Sequence, residues 1–152
     1  MRIHPILVGA VLGGLAAGAL TAGRGPAPAG AAPVSASFGL CHTGGGTNCV
    51  VDGDTFWIHG EKVRIADIDA PETHPPRCEH EAELGGQATL RLQQLLNAGP
   101  VTLASADRDI DRYGRLLRVV ERDGQSLGAQ LVDEGLARRW TGRRLPWCDA
   151  PS

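Results

Sequence analysis

The sequence predicts a small α+β domain in which a curled antiparallel sheet carries helices on its outside. Three observations support this. Residues 48–69 are rich in β-branched and aromatic side chains and are broken by Asp52-Gly53 and His59-Gly60, the pattern of short strands joined by tight turns. Apolar residues then recur at helical spacing, at Leu84, Ala88, Leu92, Leu95 and Leu96, before Gly99-Pro100 stops the run. Finally, strands, helix, strands and helix follow one another in an order that suits a mixed domain.

Taken in order, residues 1–38 contain no Asp or Glu and are dominated by Ala, Gly and Pro. Arg2 and His4 make a short polar start, and residues 6–22 are apolar and rich in small side chains, as in a secretory signal peptide. That stretch approaches the roughly 18 residues of a spanning helix, so residues 1–22 read as a signal peptide or an N-terminal anchor. The many Gly and Ala favour cleavage, after Ala19, Ala22, Ala31 or Ala36. The expectation is an exported protein, periplasmic or secreted, with a membrane tether through the N-terminus as the alternative. Residues 23–38 read as an Ala/Gly/Pro-rich linker and residues 39–152 as one domain with a single core, expected to be a monomer.

Setting aside Arg2 and Arg24, 13 basic residues face 17 acidic ones, a net charge near −4 that excludes a general basic field for nucleic acid. Any polyanion must be held locally. All the basic residues except Lys62 are arginine, whose fork suits bidentate phosphate contacts. The four cysteines of a small exported domain point to disulfides. Of the three pairings, Cys41 with Cys49 and Cys78 with Cys148 are expected, the second tying the chain end to the segment after "DIDAPET". A zinc site on Cys41, His42, Cys49 and another His is the rival, but no CxxC pair or regular ligand spacing supports it.

In the last strand of the meander Val63 and Ile65 share one face, while Arg64, Ala66 and Ile68 share the other. Gly85 and Gly86 weaken the helix that follows. "PVTLAS" and "YGRLLRVVE" read as strands, Asp123-Gly124 as a turn, and "SLGAQLVDEGL" as a helix presenting Leu127, Leu131 and Val132. Arg118 and Arg122 are expected to face solvent.

"DIDAPET" packs three carboxylates into seven positions. Asp69 and Glu72 flank Ala70-Pro71, and Asp52 and Asp54 flank Gly53. Each segment alone reads as a turn. Brought together, they gather carboxylates whose repulsion calls for a cation, and hard oxygen ligands suit Ca²⁺ or Mg²⁺. Arg64 precedes the acids, and Arg115 opens a strand after Tyr113-Gly114. A metal beside two guanidinium forks is what the transition state of phosphoryl transfer requires.

"VVDGDTFWI", "VRIADIDAPET", "DRYGR" and "LVDEGLARRW", in that order over about residues 49–140, resemble the staphylococcal-nuclease-like (thermonuclease) family. The resemblance implies an OB-fold β-barrel with packed helices and Ca²⁺-dependent cleavage of DNA and RNA, leaving 3′-phosphates. It implies metal ligation by Asp54, Asp69 and the backbone carbonyl of Ala70, with Asp52 near the metal. It further implies that Glu72 activates the attacking water, that Arg64 and Arg115 bind phosphate, and that Tyr113 lines the nucleotide pocket. Three features depart from the family pattern: "CHTGGGTNC" intrudes on the first strand, "HPPRCEHEAE" replaces a lysine-rich loop, and "TGRRLPWC" replaces a long terminal helix.

"ARRWTGRR" alternates arginines around Trp140, so that Arg138 and Arg139 would hold backbone phosphates while Trp140 stacks on a base. A basic, solvated helix end is the other reading. Trp57 is expected in the core and Trp147 against the Cys148 staple. A non-catalytic OB module and a secreted calcium-binding structural domain compete with the nuclease. Neither needs the acids and both arginines together.

Overall fold

The computed structural model describes residues 31–42 and 46–148. The expected signal peptide or anchor, the linker as far as residue 30 and most of the glycine triplet lie outside them. Strand β1 spans Gly39–Leu40, β2 Cys49–Asp52, β3 Thr55–Ile58, β4 Glu61–Ile65 and β5 Ile68–Asp69. Helix α1 spans Glu79–Asn97, followed by β6 Thr102–Ile110, β7 Leu116–Arg122, β8 Gln125–Ser126, α2 Leu127–Asp133 and β9 Arg138–Arg139.

Strands β2, β3 and β4 form the expected meander. Asp52 pairs with Thr55 across Gly53-Asp54, and Ile58 pairs with Glu61 across His59-Gly60. His59 and Gly60 take φ of 52° and 83°, the backbone of a two-residue hairpin between twisted strands. Phe56 opposite Val63 enters the core, while Thr55 opposite Arg64 is buried on the other face.

The sheet is mixed, not antiparallel throughout as expected. Its order is β1-β2-β3-β4-β7-β6, with β8 paired to β7, and β4 runs parallel to β7 as β1 does to β2. Between β4 and β7 the chain makes β5, α1 and β6, a crossover long enough to return it in the same direction. No ladder among the described residues closes this sheet into the expected barrel. The segment from Val34 to Leu40 spans the gap instead, bridging Val101 at its start and pairing with β2 at its end.

Part of the expected linker therefore packs in the domain. Val34 exchanges backbone hydrogen bonds with Val101 at 2.7 and 2.9 Å. Phe38 is buried edge-on to Phe56, and its backbone is held by the side chains of Asn97 and Gln93. Two apolar residues four positions apart in a small-residue stretch carry no periodic signal, which is why the sequence hides them.

One core unites Phe38, Val50, Phe56 and Val63 with Leu92 and Leu96 of α1 and Leu131 of α2. Arg122 does not simply face solvent: its Nη2 donates to the carbonyls of Leu95 (2.6 Å) and Gly99 (2.8 Å), at and just beyond the end of α1. Ser126 caps α2 by accepting the Ala129 N–H, and its hydroxyl donates to Asp67 at 2.7 Å. Both expected disulfides form, Cys41–Cys49 and Cys78–Cys148.

Candidate active site

Asp52 and Asp54 lie on the β2–β3 turn, where Asp52 Oδ1 accepts the Asp54 N–H at 3.1 Å. Gly53 sets where that turn sits. A Cβ at this position would lie 2.6 Å from the Cβ of Ala88 on α1 and 2.8 Å from that of Ala70. The glycine thus permits close approach, and that approach lays Asp54 on the segment after β5. Asp54 Oδ2 accepts the Ala70 N–H at 2.9 Å, and Oδ1 accepts the Thr55 hydroxyl at 2.9 Å.

Arg64 joins the two acidic segments. Its Nη2 is 3.2 Å from Asp54 Oδ2 and 3.5 Å from Asp69 Oδ1, all three side chains being nearly buried. Its Nη1 donates to the carbonyls of Ile65 and, at 2.9 Å, Ile68, so the guanidinium is pinned by its own neighbours.

Two residues not expected at the site complete this corner. Arg144 Nε is 3.2 Å from Asp69 Oδ1, and its Nη1 pairs with Glu72 Oε1. Trp147, expected only to pack on the staple, is buried and donates its Nε1–H to Asp69 Oδ2 at 3.3 Å. The signal for both was the pairing of Cys148 with Cys78, which returns the chain end to the acids.

Glu72 sits on the loop 70–78, which rests on α1. Gly85 leaves room for it, since a Cβ there would lie 2.9 Å from the Pro71 carbonyl oxygen. Below the loop, the buried Glu81 accepts from Arg77 N (2.7 Å), Nε (3.1 Å) and Nη2 (2.8 Å), and from Glu72 N at 3.5 Å.

An open cleft of about 990 Å³ is lined by Arg64, Glu72, Tyr113, Arg115, Trp140 and Arg144, among others. Arg115 lines it without touching the acids. Its Nε lies 2.7 Å from Asp111 Oδ2, and Asp111 Oδ1 accepts the N–H groups of Tyr113 and Arg115. Against the pull of burial, those bonds hold the Asp111 carboxyl below its usual value. Tyr113 is exposed, with Arg112 and Arg115 both within reach of its ring. Trp140 is partly exposed, and the Arg64 guanidinium lies 5.7 Å from its ring centroid. Arg138 and Arg139 lie outside the cleft lining. Strand β9 sets them opposite Asp69 and Ile68, and the Arg138 guanidinium is taken by the Trp147 ring at 3.7 Å and the Pro146 carbonyl at 2.9 Å.

Among the described residues no three His, Cys, Asp or Glu side chains stand together as a group that could hold a metal ion. The donor chemistry nevertheless fits a hard divalent cation. Asp69 Oδ1 is buried without a hydrogen bond. Burial pushes the Asp69 carboxyl up and Asp54 adds to this, with Arg144 and Arg64 opposing. Asp52 is pushed up to about 7 by burial and then by the Asp54 carboxylate. Burial and mutual repulsion thus disfavour the charged carboxylates, a cost that a cation would relieve, and Asp54, Asp69 and the Ala70 carbonyl are oxygen donors of the right kind.

Residues 62–145 match a family model described as staphylococcal nuclease homologue. Endonuclease YncB of Bacillus subtilis (strain 168) is 40% identical over 94 residues, covering 58% of this chain and 44% of its own length. The SPbeta prophage-derived endonuclease YokF of the same strain is also 40% identical over 94 residues, with 58% and 31% covered. Micrococcal nuclease of Shigella flexneri is 34% identical over 101 residues, with 58% and 53% covered. The chain spans about half the length of these relatives or less.

Proposed function

This chain belongs to the family of staphylococcal nuclease homologues, and on that premise we propose that it is an exported, calcium-dependent nuclease that hydrolyses phosphodiester bonds of DNA or RNA and leaves 3′-phosphates. One juxtaposition carries the proposal. Arg64 Nη2 stands within 3.5 Å of both Asp54 and Asp69, beside a cleft that also exposes Glu72, Tyr113 and Arg115. The printed names of the relatives, endonuclease and micrococcal nuclease, support the same reading.

Asp54, Asp69 and the Ala70 carbonyl would hold the calcium ion, which when bound supplies positive charge to a phosphate oxygen. Glu72 takes a proton from the attacking water as its oxygen bonds to phosphorus, the bond to the 5′ oxygen breaks, and that oxygen takes a proton from solvent to leave as a hydroxyl. Arg64, fixed by backbone carbonyls, stabilises charge on the phosphate without having to reorganise. Asp111 holds the Nε of Arg115 and leaves its terminal nitrogens for phosphate oxygens. Exposed Tyr113 and Trp140 offer faces on which bases stack.

The test is digestion of single- and double-stranded DNA and RNA with Ca²⁺, with Mg²⁺ or with chelator, beside Glu72→Gln. Cleavage should need the cation and fall by about 10²- to 10⁴-fold in the variant, as expected on losing a general base. Cleavage indifferent to both chelator and substitution would overturn the proposal. Tight nucleic-acid binding without cleavage would favour a binding module.

A further inference from the structure

Arg144 is the charge in this corner that the reaction above does not use. It lies on residues 140–148, a strap without helix or strand that is fastened at several points. The Trp140 N–H donates to the Asp67 carbonyl at 2.9 Å, and Cys148 is bonded to Cys78, the N-cap residue just before α1. Between these ends Trp147 is buried, bonded to Asp69 and stacked under Arg138. The fold therefore holds the backbone of Arg144 beside the acids.

From that position the guanidinium spans Asp69 Oδ1, 3.2 Å from Nε, and Glu72 Oε1. A guanidinium on Asp69 Oδ1 and a divalent ion held by Asp69 would compete for the same carboxylate. Arg64 also touches Asp69, but it is buried and bonded to backbone carbonyls, so it stays. The Arg144 side chain is 38% exposed, so it has solvent to move into once another cation takes its place on Asp69.

We propose that Arg144 is a built-in counter-ion that competes with the divalent cation for Asp69 and restrains Glu72 until the cation enters, so that it sets the concentration at which the site loads. This rests on the reading of Asp54 and Asp69 as calcium ligands. Because coupling between linked ligands is reciprocal, calcium binding weakens the hold of Arg144 by the same factor by which Arg144 weakens calcium binding.

The experiment is calorimetric titration of the purified protein with CaCl₂, without nucleic acid, on the wild type, R144Q, R144S, R144K and D69N, with thermal unfolding as a check that each is folded. R144Q and R144S should bind calcium about tenfold more tightly than the wild type, within the usual range for two coupled ligands. R144K, which keeps the charge, should stay nearer the wild type, and added salt should narrow the gap. D69N should lose binding. If D69N abolishes binding while R144Q and R144S bind no more tightly than the wild type, the counter-ion role is overturned and the calcium site stands. If calcium binding is absent from every form or unaffected by D69N, the calcium-site reading falls and the role of Arg144 falls with it.

Discussion

Glu81 and Asp69 are both buried carboxylates beside arginine, one on either side of the loop 70–78, yet their surroundings treat them in opposite ways. Glu81 is satisfied: Arg77 gives it three hydrogen bonds between 2.7 and 3.1 Å, and the Glu72 N–H adds a longer one. Chiefly through the Arg77 side chain, its carboxyl is held below the usual value. Asp69 receives one neutral bond, from Trp147 at 3.3 Å, and its Oδ1 has none. Burial pushes its carboxyl upward instead. Burial alone thus does not mark a site in this molecule. What separates the proposed metal ligand from the structural acid is how fully its lone pairs are used.

The Cys78–Cys148 disulfide ties the two regions together. Cys78 immediately precedes the helix that carries Glu81, and Cys148 follows the tryptophan bonded to Asp69. Replacing both cysteines with serine should have the largest effect on stability, about 4 kcal/mol by the chain-entropy relation, since the bond joins residues 70 apart. Urea unfolding monitored by tryptophan fluorescence measures it. A midpoint equal to the wild type would mean that the contacts of Trp140 and Trp147 hold the strap unaided.

Removing the satisfied acid should cost less. Glu81→Gln should lose about 2 kcal/mol at neutral pH, in the range for hydrogen bonds to a buried charged group. The sign of its pH dependence follows from the lowered carboxyl. Its stabilisation is complete above the ordinary value of 4.5 and is lost as pH falls through the lower, folded value. Denaturation midpoints of wild type and variant should therefore converge in acid, separate as the pH rises towards 4.5 and keep a constant gap above it. Parallel curves at every pH would show that shape, not charge, is what Glu81 contributes.

Much of the satisfied and unsatisfied chemistry could be read in the sequence because it is local or follows from hairpin pairing. The β3–β4 register sets Thr55 opposite Arg64, so "DGDT" and "VRI" had to meet, and the glycine in "DGD" lets that turn press on Ala70. The position of Arg115 beside Asp111 was not legible, because an (i,i+4) ion pair across a turn leaves no periodic signature. Arg144 and Trp147 reach Asp69 through a strap without regular structure, and only the cysteine pairing hinted at its path. Arg138 and Arg139 looked like a phosphate grip by composition. Their strand instead turns Arg138 onto Trp147, a contact that depends on tertiary placement. The parallel β4–β7 pairing was equally hidden, since strand direction is decided by the intervening crossover and not by either strand's residues.

The smallest expected effect is the one that reverses sign. Asp69→Asn, measured without divalent ions, should stabilise the fold by about 1 kcal/mol, as often happens when a functional residue is relieved of its burden. An amide keeps the shape of the carboxylate while removing its repulsion with Asp54. The cost of burial is the leading cause of the upward push on Asp69, ahead of the opposing Arg144 and Arg64. Calcium should then invert the order, because a ligand that binds only the folded state stabilises the wild type with rising concentration and leaves the variant unchanged. Thermal unfolding with chelator and with calcium shows whether the two curves cross. If Asp69→Asn is the less stable protein under chelator, Arg64 and Arg144 already satisfy Asp69, and the cup is a structural ion-pair cluster of the same kind as Arg77 with Glu81.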